Sequence, residues 1–300
     1  MKKEAFLKQT SSVDRLSGEE GKVDEFKRYL EATFNDQKME SWELEKTEGD
    51  KTMISIVLEE MPQFLAKYGG TMPPLTLNHF HAVNIDAENA PRLKGDAGFQ
   101  SRYQRIIYSP KILGLEPRLS RSQTMAHEVL HFSAYQYFKE GISPSGSSGI
   151  GFKRAGLQIR REYDDNGLLE EISGKVDEAV TDELAIRFTK ESLSKNPWLL
   201  EDLPQQGSAT DENSLHELKE DEQGRLYFQP NSYAREIRAL NNLIKHVIAK
   251  KPEIYKTEEE VFDLFAKATL TNELMPLIRA LRNSMGKELW LPLVKVSFLK

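Results

Sequence analysis

Two histidines, His127 and His131, lie four positions apart in the segment HEVLH, and Glu128 directly follows the first of them. Residues four apart on an α-helix share one face, so both imidazoles could bind a single metal ion. Glu128 would lie about 100° further round that helix, where its carboxylate could reach a water on the ion. Two neutral imidazoles suit Zn²⁺, and the carboxylate suits a general base for a metal-activated water. The alternative is a pair of buried helix histidines that hydrogen-bond to the backbone.

A third ligand is required, and the downstream segment DEAVTD places Glu178 and Asp182 four positions apart. On a helix, one carboxylate could complete a two-histidine site while the other orients a histidine. The same acids could equally form the exposed face of an amphipathic helix. Glu170 and Glu171 are competing ligands, but no carboxylate follows them by four positions, and Gly174 weakens a continuous helix there. The pattern therefore favours Glu178.

The segment AHEVLH followed by DEAVTDELA resembles the gluzincin group of zinc metallopeptidases. This resemblance implies that His127, His131 and Glu178 bind zinc, that Glu128 is the general base, and that Asp182 supports a ligand histidine. The stretch between the two motifs is longer than in compact members of the group, so the spacing indicates no subfamily.

Peptide hydrolysis on such a site also needs a donor to the oxyanion of the tetrahedral intermediate. Tyr233 is our first choice, with His216 and then Tyr163 as alternatives, although a tyrosine at a helix start commonly packs its ring and hydrogen-bonds the backbone. Residues 99–109 resemble the edge strand that lines the cleft in this group, where an extended substrate would add as a further strand.

A second pair of histidines, His79 and His81, lies two positions apart in a segment with strand-like alternation. These side chains would point to one side of the strand and could bind metal together. Most such pairs are structural or exposed, and we expect the same here.

The elements around these motifs predict an α+β fold: a zincin-like metallopeptidase domain with a small mixed sheet, two metal-bearing helices and a helical C-terminal subdomain. Apolar spacing, turn residues and capping patterns predict helices over 23–34, 52–68, from Ser120 to Gly141, 175–193 and three times after 230, with strands over 75–85, 99–109 and 152–163 and a loop over 143–151. The expected organisation is a charged N-terminal extension over 1–50, a catalytic core over 51–195, an acidic loop or insertion over 196–230, and a C-terminal subdomain over 231–300 that completes the cleft.

Composition narrows the classes of function. With 39% hydrophobic and 29% charged residues, the chain is expected to be a soluble globular protein, and no apolar run approaches the roughly 20 residues that cross a bilayer. The net charge of −6 gives no basic surface for nucleic acid. The absence of cysteine excludes thiolate zinc sites, and, together with an N-terminus unlike a secretory signal, it favours a cytoplasmic location.

We therefore expect a zinc-dependent endopeptidase that acts on a peptide or protein substrate, with Zn²⁺ as cofactor. A binding or regulatory protein that retains the metal site is the main alternative. A helical interaction protein without metal is a third, and metal analysis separates it from the other two.

Overall fold

A computed structural model describes residues 17–18, 42–86, 97–100, 105–142, 148–163, 169–172, 174–203, 216–230 and 234–286. The predicted helix over 23–34 and most of the proposed N-terminal extension lie outside these residues.

The described residues form a mixed α+β structure. The α-helices are α1 (Glu48–Lys67), α2 (Pro110–Leu113), α3 (Arg118–Ser133), α4 (Gly174–Glu191), α5 (Pro197–Leu200), α6 (Ala234–Lys250), α7 (Glu258–Leu270) and α8 (Leu274–Met285). The strands are β1 (Ser17–Gly18), β2 (Glu43–Leu44), β3 (Phe80–Val83), β4 (Ala97–Gln100), β5 (Arg105–Tyr108), β6 (Gln136–Ile142), β7 (Ser148–Ala155), β8 (Gln158–Tyr163), β9 (Leu169–Ile172), β10 (His216–Glu220) and β11 (Leu226–Pro230).

A four-stranded sheet of order β2-β3-β5-β4 packs against α3 through β4 and β5. Strands β3 and β5 are parallel, whereas β4 runs antiparallel to β5 as the end strand. The prediction of one strand over 99–109 is wrong: two antiparallel strands, β4 and β5, occupy that region, and only β4 is at the edge. The strand predicted over 75–85 is shorter than expected, because a 3₁₀ turn occupies Leu77–His79 before β3.

Helix α3 carries the HEVLH motif, and its bounds differ from the predicted ones. It begins at Arg118 after Pro117 and ends at Ser133, whereas Gly141 lies inside β6. Ser120 is buried within the first turns of the helix and does not cap it. The capping box that the sequence indicates over residues 120–123 is therefore wrong, because these residues lie inside the helix, which begins directly after Pro117.

A second sheet, of order β1-β6-β7-β8-β9, contains the four strands between α3 and α4 and, beside β6, the distant strand β1. Its strands β6 to β9 are antiparallel neighbours, and a tight turn at Gly156 and Leu157 connects β7 to β8. The predicted loop over 143–151 is wrong for residues 148–151, which belong to β7, and residues 143–147 lie outside the described residues.

Helix α4 packs against α3 on one side and against α6 and α7 on the other. It matches the helix predicted over 175–193, and α6, α7 and α8 match the three predicted C-terminal helices. Residues 196–230, predicted to be an acidic loop or insertion, include the short helix α5 and the antiparallel hairpin β10–β11. Residues 204–215 lie outside the described part.

One amide side chain, that of Gln123, hydrogen-bonds α3 to the hairpin β10–β11. Gln123 donates from Nε2 to the backbone oxygen of Phe228 (2.6 Å) and accepts from its backbone nitrogen (3.1 Å). Both residues are buried. Gln123 therefore occupies the place of a neighbouring strand along β11, one helical turn before His127.

The main hydrophobic core unites the helices with the four-stranded sheet. Its largest fully buried side chains include Phe64, Phe80, Tyr108, Phe188 and Phe262. In the part of the chain that the structure describes, every helix is too short or too polar to cross a membrane.

Candidate metal centre

Helix α3 holds the two histidines rigidly because it is buried along most of its length. Met125, Val129 and Leu130 are buried in the core around the motif. The histidines themselves lie on the face turned toward α4, with 12% of the His127 side chain and 15% of the His131 side chain exposed. A packed core thus fixes the direction in which both imidazoles point.

Helix α4 brings Glu178 to the same point. The Nε2 atoms of His127 and His131 are 2.9 Å apart, and Oε2 of Glu178 lies 3.4 Å from the former and 3.2 Å from the latter. Among the described residues, these three side chains form a group whose ligand atoms could hold one metal ion. The predicted ligand set is thus brought together.

The spacing of the three atoms fits a small tetrahedral ion. Zinc binds nitrogen and oxygen at about 2.0–2.1 Å, so two ligand atoms of a tetrahedral site lie about 3.3 Å apart. The observed separations of 2.9, 3.4 and 3.2 Å agree with that value. Two imidazoles and one carboxylate are also donors that suit zinc better than Mg²⁺ or Ca²⁺. These donors alone do not select zinc over other transition metals.

The opposite nitrogen of each imidazole faces an aspartate of α4. Nδ1 of His127 lies 2.7 Å from Oδ1 of Asp182, and Nδ1 of His131 lies 3.7 Å from Oδ2 of Asp177. A proton on Nδ1 of His127 would be attracted to the carboxylate, which leaves the Nε2 lone pair directed at the shared point. Asp182 therefore favours the tautomer of His127 that binds metal, and Asp177 lies on the corresponding side of His131 at a longer distance.

Electrostatic interactions within the group are strong. Although burial opposes a charge on His127, Asp182 and Glu178 raise its pKa well above the ordinary value. Burial also opposes a charge on His131, while Glu178 raises its pKa. Burial disfavours the charged form of Glu178, but the two histidines hold its pKa below the usual range. Without metal, the centre retains protons that a bound cation would displace.

Glu128, the base predicted from the sequence, directly follows His127 on α3. It is buried, with 7% of its surface exposed, and its charge helps to raise the pKa of the neighbouring His127. Glu178, by contrast, exposes 35% of its side chain. Among the described ligands and their neighbour Glu128, the Glu178 side chain is therefore the one with the largest exposed fraction.

Comparisons with protein-family models, with curated proteins and with solved structures found no match to this chain.

Several other predicted site residues are not tested. Tyr233 lies outside the described residues. His216 begins β10 and Tyr163 ends β8, but the orientation of neither side chain is described. Glu170 and Glu171 lie in β9, not on a helix. The identity of the oxyanion donor stays a prediction.

The second histidine pair is built into the structure differently. His79 and His81 are both buried, and their Nδ1 atoms face Thr76 and Glu43, respectively. Burial and then the positive charge of Arg105 lower the pKa of His79 to about 4. A cationic neighbour disfavours a metal ion, so of the two expectations, structural or exposed, the buried pair fits the structural one.

Asp177 was missed at the sequence level as a residue of the site. It is buried, and burial raises its pKa to about 6 against the opposing charge of His131. The only signal in the sequence was its position directly before Glu178. Its contacts come from the β7–β8 turn, which no local pattern connects to α4.

Proposed function

We propose that this chain is a zinc metallopeptidase of gluzincin type, with a zincin-like catalytic domain that hydrolyses peptide bonds. The observation that carries this proposal is the convergence of His127 Nε2, His131 Nε2 and Glu178 Oε2, with a buried glutamate directly after His127. A purely structural metal site would have no use for Glu128. The cytoplasmic location that the sequence predicts is also part of this proposal.

His127, His131 and Glu178 would hold the ion, and Asp182 would keep His127 in the metal-binding tautomer. Bound there, zinc would lower the pKa of a coordinated water and polarise the scissile carbonyl. Glu128 would accept the proton from the attacking water and deliver it to the leaving nitrogen. Tyr233 remains our candidate for the donor to the oxyanion.

The substrate would bind as an extended strand. Strand β4 ends the four-stranded sheet and lies against α3, the helix that carries both histidines. The backbone of an end strand can pair with an added peptide, which would place a peptide bond across the helix near the metal centre. A peptide or unfolded protein segment therefore suits the site better than a compact folded protein.

The test is cleavage of an unstructured protein by the zinc-loaded chain, with wild type compared with Glu128→Gln. The variant should keep its zinc while its rate falls by roughly 10²–10⁴-fold, because the metal ligands are intact and the base is lost. Glu183→Gln is the matched control, since Glu183 directly follows Asp182 on α4 but pairs with Arg187. Its rate should be unchanged.

Unchanged cleavage by Glu128→Gln would refute the assigned base. A wild-type chain that binds zinc stoichiometrically but cuts nothing would favour the alternative of a binding or regulatory protein. If the chain binds no zinc, the proposal of a zinc metallopeptidase is refuted.

A further inference from the structure

The end of β7 and the turn that follows it, residues 154–157 (the 154–157 turn), contact Asp177 beside the metal centre from outside the two ligand-bearing helices. The backbone nitrogen of Leu157 donates to Oδ1 of Asp177 at 2.6 Å. The other carboxylate oxygen of Asp177 faces Nδ1 of His131, and the next residue in the chain is the ligand Glu178. One backbone N–H thus fixes a side chain that adjoins two of the three metal ligands.

Gly156 makes this close approach possible. Its φ is +57°, a conformation that residues with a side chain rarely adopt. A Cβ atom at this position would lie 2.2 Å from Oδ1 of Asp177, far inside van der Waals contact. Asp177 is buried, so its carboxylate has little room to move aside. Glycine is therefore required by the contact as well as by the backbone conformation.

Arg154 anchors the same turn to the C-terminal end of α7. Its Nε donates to the backbone oxygen of Gly156 at 2.8 Å, and its Nη2 donates to the backbone oxygens of Ala268 and Thr271. The guanidinium also stacks on Tyr135, whose backbone oxygen accepts from the Gly156 nitrogen at 2.8 Å. Arg154 is only 8% exposed, and a fork of donors held in this way is rigid.

We propose that the 154–157 turn is a positioning element for the metal centre: it holds Asp177, and through Asp177 it sets the affinity of His131 and Glu178 for the ion. Arg154 and Gly156 are then positioning residues, although neither touches the metal. This inference rests on the metal centre of the proposed function but is independent of peptide hydrolysis.

The test is the zinc affinity of the full chain, measured by competition with a chromophoric chelator. Gly156→Ala should raise the dissociation constant for Zn²⁺ by roughly 10–100-fold, the effect typical of disturbing a group that orients a metal ligand. Gly224→Ala is the matched control: Gly224 has φ +75° in the β10–β11 turn, and its nearest neighbour for an added Cβ is Glu220 Oε1 at 3.6 Å. The Gly224→Ala variant should carry backbone strain of the same kind as Gly156→Ala and should bind zinc with the wild-type affinity.

A second measurement separates positioning from general damage. In the Asp177→Ala variant, the carboxylate that an added Cβ at position 156 would clash with is absent. Adding Gly156→Ala should therefore leave the zinc affinity equal to that of Asp177→Ala alone. The Co²⁺-loaded protein should show an altered visible spectrum in Gly156→Ala and the wild-type spectrum in Gly224→Ala, because the spectrum reports ligand geometry. If Gly156→Ala does not fold, Arg154→Lys gives the same test, since it removes the fork without adding a side chain to the turn.

Equal zinc affinity in wild type, Gly156→Ala and Arg154→Lys would overturn this inference while leaving the metal centre intact. An equal loss of zinc affinity in Gly156→Ala and Gly224→Ala would also overturn it. So would a double variant, Asp177→Ala with Gly156→Ala, whose zinc affinity falls below that of Asp177→Ala as far as Gly156→Ala falls below wild type. A wild-type chain that binds no zinc would overturn both the metal centre and the inference.

Discussion

His127 and Asp182 show how one carboxylate can act in two opposing ways at the residue scale. The 2.7 Å contact between Nδ1 and Oδ1 directs the Nε2 lone pair at the metal, which strengthens binding. The same negative charge raises the pKa of His127 in the metal-free protein, despite its burial. Protons and metal therefore compete for His127, and zinc affinity should fall as the pH decreases through this raised pKa.

Asp182→Asn separates the two effects. At high pH, where His127 is neutral, the variant should bind zinc roughly 10–100-fold more weakly, because the carboxylate that orients the His127 imidazole is lost. With the carboxylate gone, the pKa of His127 falls, so proton competition begins at a lower pH. Zinc titrations across pH should therefore show a deficit that narrows toward acid. Asp86→Asn, at an exposed residue paired with Lys111, should follow the wild-type curve; a pH-independent deficit in Asp182→Asn would contradict the competition.

The residues of the centre were largely predictable because the helical period pairs them within each helix and the resemblance to the gluzincin motifs connects the two helices. A separation of four positions puts His127 above His131, and Glu178 above Asp182, whatever surrounds the helices. Asp177 could not be recognised in this way. Its contacts with Leu157 and His131 depend on a turn and a helix from other parts of the chain, and no spacing in the sequence connects them.

At the scale of elements, the type of each helix was easier to predict than its ends. The apolar spacing of α4 and of the three C-terminal helices is strong and local, whereas the start of α3 depends on Pro117 and its end on the pairing of β6 with β7. The second sheet was predicted only in part. The single strand expected over 152–163 is two strands, β7 and β8, divided by the turn at Gly156 and Leu157, and residues 148–151 of β7 carry the composition of a loop.

Gln123 gives an element-scale prediction, because it joins α3 to the hairpin β10–β11. Gln123→Ala removes the partners of two buried backbone groups of Phe228, each of which is costly to leave unpaired. The free energy of unfolding should decrease by about 2–4 kcal/mol. Hydrogen exchange at the Phe228 amide should accelerate beyond the change at residues of α1.

Gln63→Ala is the control for this substitution, since Gln63 is an exposed residue inside α1. Alanine is a good helix former, so this control should change stability by only a few tenths of a kcal/mol. Equal effects at both positions would show that Gln123 contributes helix propensity and not a connection to the hairpin.

In the molecule as a whole, the metal centre lies between α3 and α4, which pack on different elements of one core. Helix α3 packs on α1 and on the four-stranded sheet, whereas α4 packs on α6 and α7. The 154–157 turn adds a third connection, from the second sheet to both α4 and the end of α7. An ion bound by His127, His131 and Glu178 would therefore join elements that come from distant parts of the chain.

Zinc should thus stabilise the entire chain against unfolding, and its removal should reverse the effect. At a free zinc concentration of 100 times the dissociation constant, binding adds about 2.7 kcal/mol to the free energy of unfolding. For a chain of this size, that corresponds to an increase in Tm of about 5 °C over the protein in chelator. Thermal scans with Mg²⁺ should show no shift, because Mg²⁺ prefers oxygen ligands in octahedral geometry. The His127→Ala, His131→Ala double variant removes the two imidazoles of the centre between α3 and α4. A similar zinc-induced increase in its Tm would show that the stabilising ion binds elsewhere.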